Sequence, residues 1–246
     1  MITLVAVALL VGMLIGSVGI GGILLIPALQ MLAPLPIQAA MATALFTFIF
    51  TGIVGTALFQ RYGSIDWALT TPLCVGAALF GVVGAWANAR LEAKVLALIL
   101  ALLIAAAGAY TLLTGSAQRA PCLQDKPARQ RALLFAIGAV TGFGSGLTGV
   151  GGPALAVPML VLFGFPALSA IGASQVIQIV AAVSGSAAHL AHGSVDLRLA
   201  ALLTVFEVLG VAVGVRLAHA IDARWLRRGV GLLCVAVGTG LLVSLV

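Results

Sequence analysis

The chain has 246 residues, of which 63% are hydrophobic and 7% charged. A water-facing domain carries about a quarter charged residues, so 12 basic and six acidic side chains cannot cover a soluble surface. This composition excludes a soluble enzyme, a nucleic-acid binder and a disordered chain; it leaves an all-α polytopic membrane protein whose net charge of +6 belongs to loops that orient it in the bilayer.

A helix that crosses lipid needs about 20 apolar residues. Apolar stretches run at 2–15, 22–33, 37–59, 67–89, 93–114, 132–143, 152–164, 167–189, 199–218 and 225–246. Six are of spanning length. The stretches 2–15, 22–33, 132–143 and 152–164 are too short, and read as re-entrant segments or halves of broken helices. Met1 to Leu14 has no preceding Lys or Arg, so it reads as a first membrane segment rather than a signal peptide. The polar stretch 115–131 separates a first membrane repeat, 1–114, from a second, 132–246. Cys74, Cys122 and Cys234 have no metal-site spacing, and neither a metal nor a cofactor is expected.

The two halves repeat at an offset of 130 residues. Gly16-Ser17-Val18-Gly19-Ile20-Gly21-Gly22 aligns with Gly146-Leu147-Thr148-Gly149-Val150-Gly151-Gly152, and Pro36 with Pro166. Gly55-Thr56-Ala57 aligns with Gly185-Ser186-Ala187, and Gly63-Ser64-Ile65-Asp66 with Gly193-Ser194-Val195-Asp196. Internal duplication is the common build of secondary transporters, with the site at the repeat interface. If each half crosses an odd number of times, Arg61, Arg119, Lys126, Arg129, Arg131, Arg216, Arg224, Arg227 and Arg228 share one side, against Arg90, Lys94 and Arg198 on the other. Even crossings split the same charges six and six. Positive residues favour the cytoplasm, so inverted repeats with a cytoplasmic central stretch fit better. Odd parity requires each pair of short segments to be a re-entrant hairpin ahead of three spans.

Four glycines within seven residues, twice, break a helix, since each costs about 1 kcal/mol relative to alanine. Unwound backbone at membrane depth is tolerated only inside protein or beside an aqueous cavity. The half-helix after each break then aims free N–H groups and its positive dipole end at the break, which suits an anion without a cationic side chain. Gly19, Gly21, Gly22, Gly149, Gly151 and Gly152 are therefore candidate substrate-binding positions, with Ser17 and Thr148 as neighbouring hydroxyls. The competing reading is close helix packing through small residues, which suits Gly138/Gly142 and Gly210/Gly214.

On the next long segment Thr43, Thr47 and Thr51 share one helical face. Single threonines of this kind usually bond their own helix. In the second half Ser174, Gln175 and Gln178 occupy the matching stretch. Two amides one turn apart are expensive in hydrocarbon unless paired, and they point to a polar cavity. Glu207 lies at the centre of the run 199–218. A carboxyl there defaults to function, here proton coupling; the alternative is a bond to a neighbouring helix. His189 reads as an interfacial histidine, Asp66 and Asp196 as helix N-caps. Arg216, His219 and Trp225 read as markers of the membrane boundary.

At these residues the sequence resembles the TauE/SafE family of anion permeases, the sulfite exporters. The resemblance rests on the duplicated Gly-x-Gly-Gly…Pro element (Gly19 to Pro27, Gly149 to Pro158), on the Ala-Thr-Ala and Ala-Ser stretches at 42–44 and 173–174, and on the Gly-x-x-Asp turns at 63–66 and 193–196. It implies a carrier in a prokaryotic inner membrane that exports small anions such as sulfite or organosulfonates, driven by the proton gradient. The partners expected are a small anion, protons, the bilayer and, where copies associate, a homo-oligomer; no nucleic acid is expected. A channel-like anion uniporter and a non-transporting scaffold are the competing functions. No HExxH, GxSxG or paired His/Asp cluster suggests an intramembrane enzyme.

Overall fold

The structure is a computed structural model that describes residues 2–19, 21–113, 122–191 and 195–220, with residues 232, 235, 236, 239, 240, 242 and 243 beyond them. The described secondary structure is helical throughout. In order it is α1 (Ile2–Val18), a 3-10 turn (Gly21–Leu24), α2 (Leu25–Leu32), α3 (Ile37–Arg61), α4 (Trp67–Asn88), α5 (Ala93–Leu113), α6 (Pro127–Thr148), α7 (Pro153–Leu162), α8 (Ala167–Ala191) and α9 (Leu197–Ala220). Among the described residues α3, α4, α6, α8 and α9 are long and apolar enough to cross a membrane.

Local chemistry sets these boundaries. Asp66 caps α4 by accepting from the Ala68 and Leu69 N–H groups at 2.9 and 3.3 Å, and Asp196 caps α9 through Leu199 N–H at 3.0 Å. Both capping expectations are met. Pro36 and Pro166 precede α3 and α8, and their carbonyls accept the first helical bonds, from Ala40 and Ala170 at 2.9 Å each.

One boundary differs from the sequence reading. The stretch 132–143 is the interior of a 22-residue helix, α6, which takes residues 127–131 from the central polar stretch. Pro127 is suited to a first helical turn. Arg129 and Arg131 are exposed, while Thr148 near the other end bonds back to the Gly144 carbonyl at 2.7 Å. Charges and hydroxyls end an apolar run in the sequence, but they do not end a helix when the charges face water and the hydroxyl returns to its own backbone.

At each glycine break the chain reverses. A Cβ added at Gly21 would fall on the Val11 carbonyl oxygen of α1 and lie 2.7 Å from the Ile15 nitrogen, so the 3-10 turn folds back along α1. In the second half, Gly144 of α6 stands against the Leu155 side chain of α7 in the same way. These are hairpins, not single crossings with a gap.

The helices then pack across the halves, α1 on α9 and α6 on α4, with α3 against α8 at the centre. Glycines set the spacing. In the first pair an added Cβ at Gly12 would fall on the Glu207 carbonyl, at Gly210 on that of Leu9, and at Gly214 on that of Met13. Residue numbers rise together, so α1 and α9 run in the same direction. In the second pair Gly138 stands on Leu73, Gly142 on Ala77, Gly146 on Gly81 and Gly84 on Phe143, again with numbers rising together. By contrast Gly55 meets Gln175 and Gly185 meets Leu45, so α3 and α8 run antiparallel. It follows that α8 ends, and α9 begins, on the face where α3 begins, whereas α6, running with α4, begins on the opposite face.

Phe48 and Phe59 of α3 are among the largest fully buried side chains. Leu79, Val82 and Val83 on α4, and Val205, Leu209 and Val213 on α9, form outward apolar faces suited to lipid.

Candidate functional site

The hairpin turns bring the two glycine breaks together at the centre. A Cβ added at Gly22 would lie 2.6 Å from the Val150 carbonyl oxygen and 2.8 Å from Cζ of Phe48; one at Gly151 would lie 3.0 Å from Cδ2 of Phe48. The Phe48 ring therefore fills the space between the breaks. Gly19 approaches Val157 and Pro153 of α7, and Gly152 approaches the Gln178 backbone. Gly19, Gly149 and Gly151 hold φ values of 80, 66 and 88°, a region in which side chains with a Cβ are strained. Gly149 N–H bonds to the Ser145 carbonyl at 2.8 Å, and Ala156 N–H to that of Gly152 at 3.0 Å. Among the described residues no acceptor takes the N–H groups of Val150, Gly151 and Gly152. Successive free donors of this kind form an anion-binding concavity.

Around the breaks lie the polar residues of α3 and α8. Thr43, Thr47, Thr51, Ser174, Gln175 and Gln178 are all buried. Gln178 donates from Nε2 to the Phe48 carbonyl at 3.0 Å and to Thr51 Oγ1 at 2.7 Å, tying α8 to α3. Gln175 donates to the Ile15 carbonyl of α1 at 3.2 Å. Its Oε1 has no partner among the described residues. Thr43 Oγ1 accepts from the Asp196 N–H at 3.1 Å, joining α3 to the start of α9.

The remaining hydroxyls turn to their own helices. Thr47 donates to the Ala44 carbonyl, Ser174 to Ile171 and Ser17 to Met13, at 2.9, 2.7 and 2.6 Å. Their oxygens sit at the site while their protons are engaged, as is Thr148 on Gly144. Ser17, Thr47, Thr148 and Ser174 thus border the site as acceptors.

Glu207 is fully buried where α9 meets α1 and α3. Neither carboxyl oxygen has a hydrogen-bond partner among the described residues. Thr47 is the polar side chain beside it, with its hydroxyl turned to Ala44. No group of three potential metal ligands occurs among the described residues. A buried carboxyl without a counter-charge can take up and release a proton; free N–H groups can hold an anion.

Two participants escape sequence reasoning. Asn88, in the last turn of α4, is buried and donates from Nδ2 to the Leu147 carbonyl at 2.7 Å and toward Met41 Sδ at 3.3 Å. It therefore holds the helix end just before the second break. An amide at the tip of an apolar run, next to Arg90, reads as a surface residue. Phe48 looks like ordinary core, although it is the counterpart of Gln178 at the offset of 130. Near the end of α9, His219 stacks on Tyr62 with ring centroids 4.1 Å apart and bonds Ser64 at 3.0 Å. The side chain of His189, together with Trp225 and Cys234, lies outside the described residues.

The chain is similar to known proteins along most of its length. The chain is 26% identical to the "Probable membrane transporter protein YunE" of Bacillus subtilis over 218 residues, 79% of this chain and 80% of that protein. It is 27% identical to the "Probable membrane transporter protein YjnA" of the same organism over 234 residues, covering 91% of this chain and 92% of the relative. For the "Probable membrane transporter protein YdhB", also from Bacillus subtilis, the identity is 26% over 224 residues, 87% and 88% of the two chains. No solved structure matches the chain. Residues 4–241 match the family described as "Sulfite exporter TauE/SafE", and the chain belongs to that family: it is an integral membrane transporter of the prokaryotic plasma membrane, not an enzyme.

Proposed function

We propose that this transporter is a proton-coupled exporter of small anions such as sulfite or organosulfonates, built from two inverted repeats. The observation that carries the reading is the meeting of the two glycine breaks across Phe48, where the N–H groups of Val150, Gly151 and Gly152 have no acceptor among the described residues. Thr43, Thr51, Gln175 and Gln178 border the same space and orient the substrate. Ser17, Thr47, Thr148 and Ser174 contribute by turning their hydroxyls from helix to anion.

The inverted arrangement draws support from helix direction. Helices α3 and α8 are counterparts at the offset of 130 and run antiparallel. A two-fold axis in the membrane plane reverses each counterpart; an axis along the membrane normal does not. Counterpart contacts agree: Gly12 on Glu207 and Gly142 on Ala77, Gly16 on Val211 and Gly146 on Gly81, Gly55 on Gln175 and Gly185 on Leu45. With hairpins at the breaks, each half crosses an odd number of times, which puts the central polar stretch in the cytoplasm under the positive-inside rule.

Glu207 supplies the coupling. It lies beside Thr47, on the side of α3 that lines the site, and its charge has no counter-ion among the described residues. The test is flux of labelled sulfite and of one organosulfonate in liposomes under an imposed pH gradient. One proton per anion across one pH unit sustains about tenfold accumulation. Wild type accumulates anion, whereas Glu207→Gln equilibrates without accumulation. A Glu207→Gln protein that still follows the gradient removes Glu207 from coupling; absence of flux for both anions removes the substrate assignment.

A further inference from the structure

On the face where α3 and α9 begin, an open cleft of about 660 Å³ is lined by Ala33, Asp196, Arg198, Leu199 and Leu202. It lies between the end of α2 and the first turns of α9. Arg198, the basic residue among its described lining, is exposed and makes no ion pair among the described residues. Elsewhere on this face Arg90 is engaged, with its guanidinium 3.3 Å from the centre of the Trp86 ring. The Asp196 carboxylate, also exposed at the cleft, caps α9 by accepting the Leu199 N–H at 3.0 Å. From the cleft's lining residue Asp196, the backbone N–H is bonded to Thr43 Oγ1 at 3.1 Å. Behind that link Thr43 is fully buried, on the face of α3 that also carries Thr47 and Thr51. Glu207 lies nine residues beyond Arg198 on α9, about 13 Å along the helix axis at 1.5 Å per residue.

We propose that this cleft is the vestibule on the face opposite the central polar stretch, that Arg198 selects small oxyanions there, and that the Asp196–Thr43 bond is the gate between vestibule and site. The inference rests on the transport reading and deepens it. A guanidinium presents paired N–H donors that match two oxygens of a sulfonate, sulfite or carboxylate group. A halide offers no such pair, so the vestibule favours oxyanions. The gate is one-sided: the residue 130 positions after Thr43 is Ala173, which has no hydroxyl to accept an equivalent bond.

The test separates the vestibule from transport. Leu202 lies one turn after Arg198 on α9, half-buried at the cleft. Leu202→Cys is made in a protein carrying Cys74→Ala, Cys122→Ala and Cys234→Ala. Two membrane-impermeant methanethiosulfonates are applied from the face opposite the central stretch, one bearing a sulfonate and the other a trimethylammonium group. One unit charge acting with opposite sign on two probes 6–7 Å away in water shifts their rate ratio by about five- to tenfold. Arg198→Gln therefore moves the ratio of anionic to cationic modification down by that factor, and 0.5 M salt does much the same to wild type. Arg198→Lys keeps the rate ratio but raises the half-saturating sulfonate concentration in flux assays, because the charge is retained and the fork is lost. A ratio unchanged by Arg198→Gln overturns the role of Arg198. Absence of modification by either reagent overturns the open vestibule. Labelling as expected without anion flux supports the vestibule and overturns the transport reading alone.

Discussion

Gly16 on α1 shows how tightly the cross-half helix pairs are built. An added Cβ there would lie 2.5 Å from the Val211 carbonyl oxygen and 2.9 Å from the Val215 nitrogen of α9. Carbon–oxygen contacts between packed helices settle at about 3.3–3.6 Å, so Gly16→Ala requires the pair to part by about 1 Å. A gap of that size forfeits up to half of each van der Waals contact along the seam, and overpacking of this kind costs about 1–3 kcal/mol. Alanine returns up to about 1 kcal/mol through helix propensity. The net loss is about 1–2 kcal/mol, which at about 2–4 °C per kcal/mol lowers the midpoint of unfolding by about 2–8 °C. The assay is thermal unfolding in detergent, followed by fluorescence-detected size exclusion. Gly240→Ala is the reference, since among the described residues nothing lies within 4 Å of a Cβ at that position. Gly146→Ala, against the Gly81 carbonyl in the other pair, falls with Gly16→Ala. If Gly16→Ala unfolds at or above the wild-type temperature, the seam is not set by glycine and the packing argument is wrong.

Two further perturbations address the site. Gln178→Leu removes bonds to the Phe48 carbonyl and to Thr51; at about 0.6–1.7 kcal/mol for each bond in a membrane interior, the midpoint falls by several degrees. Combined with Gln175→Leu it abolishes sulfite flux, and full flux in the double variant removes both amides from the site. Asn88→Ala leaves the Leu147 carbonyl without its 2.7 Å donor, a buried loss of about 1–3 kcal/mol. Because Leu147 lies next to the second break, half-saturation for sulfite rises as well as stability falling; a pure stability change with unaltered half-saturation assigns Asn88 to packing alone.

Much of the fold is legible because lipid imposes simple rules. The stretches 37–59 and 67–89 read as spans from length and apolarity alone, and each glycine cluster reads as an interruption because four glycines in seven residues weaken a helix. What escaped is whatever depends on contact between distant segments. The length of α6 was hidden by Arg129 and Arg131, since a helix extending past the membrane surface looks in sequence like a loop. Asn88 was hidden because its value lies in a carbonyl 59 residues away. Thr43 was legible as a polar residue on the right face, but not as the acceptor of a bond from Asp196, whose own signature is that of an N-cap.

The positions 130 apart divide into two kinds, and the division follows physical role. Many residues that set backbone spacing match, Gly12 with Gly142, Gly16 with Gly146, Gly84 with Gly214, and Gly22 with Gly152, although Gly138 pairs with Ala8 and Gly210 with Phe80. At all of these matched glycines but Gly152 a neighbouring atom lies so close that a Cβ would collide with it, and at Gly152 an added Cβ would stand 3.1 Å from Ile177. Side chains that face the centre do not match: Leu45 pairs with Gln175, Phe48 with Gln178, Thr43 with Ala173 and Ala77 with Glu207. A scaffold whose two halves exchange equivalent contacts gives both faces the same mechanical freedom, and it cannot by itself distinguish one side of the membrane from the other. Under the proposed function, direction, gating and proton coupling come from residues present once. Thr43 and Glu207 are such residues; Thr43, on α3, is bonded to Asp196 at the cleft, and Glu207 is buried on α9 beyond that point. Placing Thr at 173 and Ala at 43 moves the hydroxyl gate to the other face. Under the gating argument, thiol access to Leu202→Cys through the original cleft then rises several-fold; unchanged access refutes the gate.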